Sequence, residues 1–393
     1  MRIIPGFPVT QPFHNTRRQT LCRYFASERF SVIISGFRIS CNVTELDRPA
    51  VPSVTKSPER SDRTLKHTDQ TYPHRFAVIG GDLRMTHLAK RLTEEGYPVS
   101  LFGCGTDCLP DADADTEMRI CQSLSKATEG ADILILPLPA SRDGETIHAP
   151  RDPACRVTLS EIADLMSRTP GLTLFGGKLP QEFLDSTKEF DSAAARVTDY
   201  YDSEILQLRN AYITAEAALM TAMELTDRTL RDTSVAVLGY GRIGKYLARL
   251  LRALGADVTV CARREESLFE AAAEGCHPLL IAESDPMGGL SPLCRDHPIL
   301  FNTVPAHILP RDLLMSLQPD TLLIDLASAP FGVSDTHVRE ATAKNGLRYL
   351  RAPSLPGSYA PRDAGRAIAE CILGMIAQRH SPDGISREGG TPT

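Results

Sequence analysis

No stretch of this 393-residue chain approaches the roughly 20 consecutive apolar residues that a membrane-spanning helix needs, which excludes a helical transmembrane reading. Positive charge is not in excess either. Lys and Arg number 43 against 49 Asp and Glu, a net charge of −6 that argues against a nucleic-acid surface. The ten cysteines lack a repeated C-x-x-C framework, and Cys104 and Cys108 are the only close pair. A disulfide-stapled scaffold is therefore excluded, and reduced thiols in a cytoplasmic protein are expected. No His/Cys cluster has metal-ligand spacing, so no metal is expected. What is there is 42% hydrophobic content, enough at this length for one or two sizeable cores of a two-domain enzyme.

The first 74 residues show scattered prolines, no sustained helical period, and a closing hydrophilic tract, VPSVTKSPERSDRTLKHTDQTYPH. They are expected to form a disordered, dispensable extension, and residues 381–393 a disordered tail. Arg17, Arg18, Arg23 and Arg29 with few acids would also suit an organelle transit peptide, a weaker reading. A shorter natural form would need a non-AUG start, because the next methionine, Met85, lies beyond the first core strand.

From Arg75 onward strands and helices alternate. RFAVIGG, PVSLFG, ADILILPLP, LTLFGG and AARVTDYY read as strands, with helices over residues 83–95, 159–167 and 181–188. Such alternation builds a parallel sheet, so residues 75–202 form a first α/β domain on the substrate side. Residues 203–226 contain no Pro or Gly and predict a long helix that crosses into a second domain, residues 203–380. That domain continues through PILFNTVP, TLLIDLAS and LRYLRAP, and ends in a helix over residues 362–378 that packs back across the molecule. The expected fold class is α/β, two parallel-sheet Rossmann-like domains joined by a long helix.

VAVLGYGRIG places Gly239, Gly241 and Gly244 in a G-x-G-x-x-G pattern between a strand, residues 234–238, and an amphipathic helix. Gly239 permits the tight turn, Gly241 lets the backbone approach a pyrophosphate, and Gly244 lets the helix lie close on the strand. Arg242 and Ile243 stand in the same turn. Where such a unit usually carries an acid for the adenine ribose, the second strand ends in Ala262-Arg263-Arg264. A guanidinium suits a 2′-phosphate, so the expected cofactor is NADP, held by Arg263 and Arg264. Loops at the carboxyl ends of the later strands face the same crevice, and from them Thr303, Pro305 and Ala327 are expected at the cofactor. His307, in PAHIL, and Glu216, on the crossing helix, are the candidates for acid–base catalysis. Asp325, at a strand end, is expected to order its loop.

These pieces resemble the A subunit of bacterial dipicolinate synthase. FAVIGGDLR, Asn210 with Thr214-Ala215-Glu216, VAVLGYGRIG, FNTVPAHIL, LIDLAS and APSLPGSYAPRDAG carry the resemblance, in that order over residues 75–377. There are departures. Ala217 stands where the family pattern tends to have glycine, and Ala329-Pro330-Phe331-Gly332 replaces a more glycine-rich turn. The resemblance implies NADP-linked oxidation of a dihydrodipicolinate to pyridine-2,6-dicarboxylate during sporulation, in partnership with a flavoprotein-like B subunit. A substrate with two carboxylates needs cationic partners, and Arg84, Arg142 and Lys178 stand on first-domain loops to bind it.

Two other readings fit the domain plan. A D-2-hydroxy-acid or alanine-type dehydrogenase is weakened because Ala327-Ser328-Ala329-Pro330 lacks the arginine that would hold an α-keto carboxylate. A non-catalytic, NADP-binding regulatory protein is favoured by the lack of an unambiguous acid–base pair.

Overall fold

A computed structural model of the chain describes residues 30–34, 37–41, 74–105, 118–191, 196–281, 289–352 and 354–379. Residues 1–69 and 70–393 form separate units. In the first, β1 (Phe30–Ile34) and β2 (Phe37–Cys41) pair antiparallel, with Phe30 opposite Cys41. This pair departs from the expected lack of structure. FSVII and FRISC, separated in sequence by Ser35 and Gly36, are rich in β-branched and aromatic residues, a strand signal that the absence of a helical period does not remove. The rest of the expected extension, apart from His74, and the tail beyond residue 379 lie outside the described residues.

The second unit holds two six-stranded sheets, each parallel throughout. In one, β3 (Phe76–Ile79), β4 (Val99–Phe102), β5 (Met118–Ile120), β6 (Ile133–Ile135), β7 (Thr173–Gly176) and β8 (Val197–Asp199) lie in the order β5-β4-β3-β6-β7-β8. In the other, β9 (Ser234–Leu238), β10 (Asp257–Ala262), β11 (His277–Leu280), β12 (Ile299–Asn302), β13 (Leu322–Asp325) and β14 (Arg348–Arg351) repeat the plan as β11-β10-β9-β12-β13-β14. Strand order reverses between β3 and β6 and between β9 and β12, and a crevice opens beyond the carboxyl ends at each reversal. The central strands are covered on both faces, which is why FAVI and ILFN are apolar without alternation and buried at every position.

The helix Glu204–Leu225 links the sheets. Ser203 caps it by accepting the Leu206 N–H, and its small buried residues set how closely it packs. Ala215, Ala218 and Ala222 join the core of the second sheet with Leu247 and Leu251 of the helix Arg242–Ala253. Ala217 is fully buried as well, so its methyl is accommodated in the packed helix. The C-terminal helix Pro361–Arg379 returns to the first sheet, where Ala367, Ile368 and Ile372 pack with Phe76, Val78 and Leu88. Each such fully buried Leu or Ile contributes about 1.5–3 kcal/mol. Among the described residues no helix is long and apolar enough to cross a membrane.

Candidate cofactor and substrate site

Each sheet sends a glycine-containing loop into a helix at its reversal, and the two loops differ in what they leave open. After β3, Gly80 and Gly81 have φ of 71° and 101°, and Asp82 caps the helix Leu83–Glu94 by accepting the Arg84 N–H at 3.0 Å. A carboxylate therefore already occupies the helix N-terminus, the position a bound anion would take. A Cβ on Gly81 would lie 2.2 Å from Met85 Cγ, so this loop is filled by the protein itself. After β9, a Cβ on Gly239 would lie 2.4 Å from Thr303 Oγ1, and one on Gly244 only 2.1 Å from the Gly239 carbonyl oxygen. Gly241 is different. Nothing lies within 4 Å of its Cβ position, and it heads the helix Arg242–Ala253 with no side-chain cap. Uncapped N–H groups beside open space are what a pyrophosphate requires.

A cleft of about 380 Å³ runs along this loop. It brings together Gly239, Gly241, Arg242 and Ile243 with Arg263 and Arg264 from the end of β10, and Thr303 and Pro305 from the loop after β12. Gly244 is buried beneath, against Gly239. Ala327 is not part of this wall; it is buried, and its N–H donates to Asp325 Oδ1 at 3.2 Å. Arg242 sits at the mouth in a two-point ion pair with Glu204.

A buried polar network holds the β12 lip of the cleft. Asn302 and Asp325 are both 0% exposed. Asn302 Nδ2 donates to Asp325 Oδ1 at 2.8 Å and to the Val304 carbonyl at 3.0 Å, while Val304 N–H donates to Asn302 Oδ1 at 3.1 Å. Asp325 Oδ2 also accepts from Gly332 N–H at 2.8 Å and from the Tyr349 hydroxyl at 3.0 Å. Its acceptors are therefore spent on loop order. Phe331, in the turn that departs from the family pattern, has a left-handed φ of 70° and lies under the Arg351 guanidinium, 3.9 Å from its ring centroid. That stack offsets the steric cost of a non-glycine residue at such a φ.

The three expected substrate cations have separate fates. Arg84 is 4% exposed, with its guanidinium bound to both oxygens of Asp82 and to the Leu138 carbonyl. Burial works to raise the Asp82 pKa, but the guanidinium overrides it and holds the carboxyl below the ordinary range. Arg142 is exposed at the tip of a tight turn organised by Asp143 and donates to Ser354 Oγ at 3.3 Å. Lys178 places its ammonium 5.0 Å from the ring centroid of Tyr201, which lines the cleft. Glu216 is half-buried on the linking helix, and His307 is exposed with Nε2 3.1 Å from the Pro330 carbonyl oxygen. Neither belongs to the cleft wall.

Other wall residues are absent from the sequence-derived set: Tyr201, Gln207 and Asn210 around the start of the linking helix, and Ser267, 5% exposed, past Arg264. His148 is also new. Burial, then the Arg142 charge, pushes its pKa down to about 4, so at neutral pH it is an uncharged imidazole.

Residues 75–196 match the family described as the N-terminal domain of the dipicolinate synthase A subunit, and residues 194–332 match the NAD binding domain of D-isomer specific 2-hydroxyacid dehydrogenases. The A subunit of dipicolinate synthase from Bacillus subtilis (strain 168) is 31% identical over 310 residues, spanning 79% of this chain and 98% of that protein. The crystal structure of the dipicolinate synthase A chain from Bacillus subtilis aligns with a TM-score of 0.63 at 29% identity, covering 78% of this chain and 97% of that one. The corresponding protein from Bacillus halodurans aligns with a TM-score of 0.62 at 26% identity, covering 77% and 98%. A dehydrogenase-type domain with an open glycine loop assigns a nicotinamide cofactor and an oxidoreductase character to the second sheet. With a relative matched along nearly its whole length, the chain belongs to the family of dipicolinate synthase A subunits.

Proposed function

We propose that this chain oxidises a dihydrodipicolinate to pyridine-2,6-dicarboxylate with NADP as the acceptor, as the A subunit of a cytoplasmic dipicolinate synthase in a sporulating cell. The observation that carries the choice of NADP is the placement of Arg263 and Arg264 in the wall of the cleft that Gly241 leaves open. A carboxylate there would repel a 2′-phosphate, whereas a guanidinium binds it through charge-assisted hydrogen bonds. When bound, the cofactor supplies the hydride acceptor, which no side chain can provide. The ring loses a hydride and a proton and becomes aromatic, so the protein's work is mainly orientation. Gly241 and the helix behind it hold the pyrophosphate, Lys178 and Arg142 offer positive charge to the substrate carboxylates, and Arg84 fixes the loop that carries the helix Leu83–Glu94. Glu216 and His307 are the candidate proton acceptors, the histidine through Nδ1, since its Nε2 faces the Pro330 carbonyl.

A second reading is an NADP-holding protein whose chemistry resides in a flavoprotein-like B subunit. It is favoured by the absence of Glu216 and His307 from the cleft wall. The purified chain with NADP and dihydrodipicolinate, tested by itself and with the B subunit, separates the two. NADPH and pyridine-2,6-dicarboxylate formed by the chain alone support the first reading, and formation only with the partner supports the second. No product in either case contradicts both.

A further inference from the structure

We propose that Tyr201 and Lys178 form one preassembled clamp for a carboxylate of the substrate, set in place by Asp199. This rests on the dicarboxylate reading above and names the residues that would carry it. β7 and β8 are adjacent parallel strands, and the loops at their carboxyl ends are tied together by a single side chain. Asp199 Oδ1 accepts the N–H of Lys178 at 3.0 Å and the N–H of Tyr201 at 2.8 Å, while Oδ2 accepts the N–H of Leu179 at 2.8 Å. Lys178 has a φ of 51°, unusual for a residue with a side chain, and the three-fold carboxylate anchor holds it there. The preceding Gly177 has no room for a side chain, since a Cβ would lie 2.7 Å from the Tyr200 hydroxyl. The Tyr200 hydroxyl in turn donates to the Leu136 carbonyl at 3.0 Å. The loop is thus fixed from both sides.

What this anchoring presents is a cation beside a phenol. The Lys178 ammonium lies 5.0 Å from the Tyr201 ring centroid, and among the described residues no carboxylate pairs with it. The Tyr201 backbone is held a second time, its carbonyl accepting from Gln207 Nε2 at 2.9 Å. Burial raises the Tyr201 pKa, which keeps the hydroxyl a donor. Tyr201, Gln207 and Asn210 line the same cleft as Gly241 and Thr303, so the Tyr201 half of the clamp borders the cofactor cleft with Lys178 beside it. A carboxylate bridging the ammonium and the phenol receives one charge and one hydrogen bond from groups already fixed, which lowers the cost of ordering them.

The test is calorimetric titration of pyridine-2,6-dicarboxylate into the NADP-loaded full chain, for the wild type and for Tyr201→Phe, Lys178→Ala and Asp199→Asn. The wild type is expected to bind. Tyr201→Phe and Lys178→Ala should each weaken the dicarboxylate about ten-fold or more and leave NADP affinity within about two-fold, and Asp199→Asn should do the same through loss of the anchor. Wild-type binding with Tyr201→Phe and Lys178→Ala unchanged overturns the clamp and leaves the function standing. Loss of NADP affinity in parallel with the dicarboxylate overturns it by placing these residues in the cofactor site. No binding to the wild type overturns the dicarboxylate reading itself.

Discussion

In the proposed function, Arg263 is the side chain that carries the cofactor preference. Arg263→Ala should weaken NADP roughly ten- to a hundredfold, the equivalent of about 1.5–3 kcal/mol for one charged hydrogen-bond partner, and leave NAD nearly unchanged. Arg264→Ala should cost less, since successive residues leaving a strand point in different directions; equilibrium titration of both cofactors checks the pair. His148 gives a second residue-level expectation. Its folded pKa of about 4 lies below the ordinary 6.5, so as pH falls the unfolded chain takes up this proton first. Stability associated with the neutral imidazole is therefore present above pH 6.5 and lost as pH falls towards 4. The Asp82 carboxyl, depressed below 3.8, adds a further loss only below that value. Urea unfolding midpoints should fall across the first window, and His148→Gln should flatten that fall. That Gly239, Gly241 and Arg263 line one cleft was legible in the sequence because it follows from local spacing. Tyr201 and His148 were not, because their surroundings are made by loops distant in the chain. Arg84 shows an intermediate case: the carboxylate that engages it, Asp82, stands two residues earlier in GGDLR.

At the scale of elements, the strands read from apolar runs match the buried centres of both sheets, and the linking helix was announced by residues 203–226, which contain no Pro or Gly. Of the four edge strands, β8 and β14 were read and β5 and β11 were missed. Met118–Ile120 has three residues and two of them exposed, and His277–Leu280 contains Pro278 and is mostly exposed, so neither shows the apolar run that marks a buried strand. The short helix Leu355–Tyr359 reads as a loop because its own Pro356 and Gly357 are turn residues. In the C-terminal helix, Gly365 packs directly on the helix Leu83–Glu94, where a Cβ would come within 2.3 Å of the Arg84 carbonyl oxygen. Gly365→Val should force the helices apart and cost about 1–3 kcal/mol, seen as a lower thermal midpoint. Asn302→Ala should also lower it, by about 1–3 kcal/mol from the lost partner of the buried Asp325 carboxylate and of the Val304 N–H, and loosen the β12 lip enough to weaken cofactor binding in the same preparation.

For the whole molecule, the two-sheet plan was legible because alternation of strand and helix leaves few other solutions. Which sheet holds the cofactor is fixed by a contrast between the loops, Asp82 filling one helix terminus and Gly241 leaving the other open. Residues 1–69 form a unit apart from residues 70–393, so a chain beginning at Gln70 should keep the thermal transition and NADP affinity of the full chain. The most direct test of the proposed function follows an isotope through one turnover. Dihydrodipicolinate deuterated at its saturated ring carbons is mixed with NADP and the purified chain, and the nicotinamide product is examined by mass spectrometry. The predicted result is NADPH carrying one deuterium, formed together with pyridine-2,6-dicarboxylate and without the B subunit. NADPH without deuterium, or labelled NADPH only when the B subunit is present, would contradict hydride transfer on this chain.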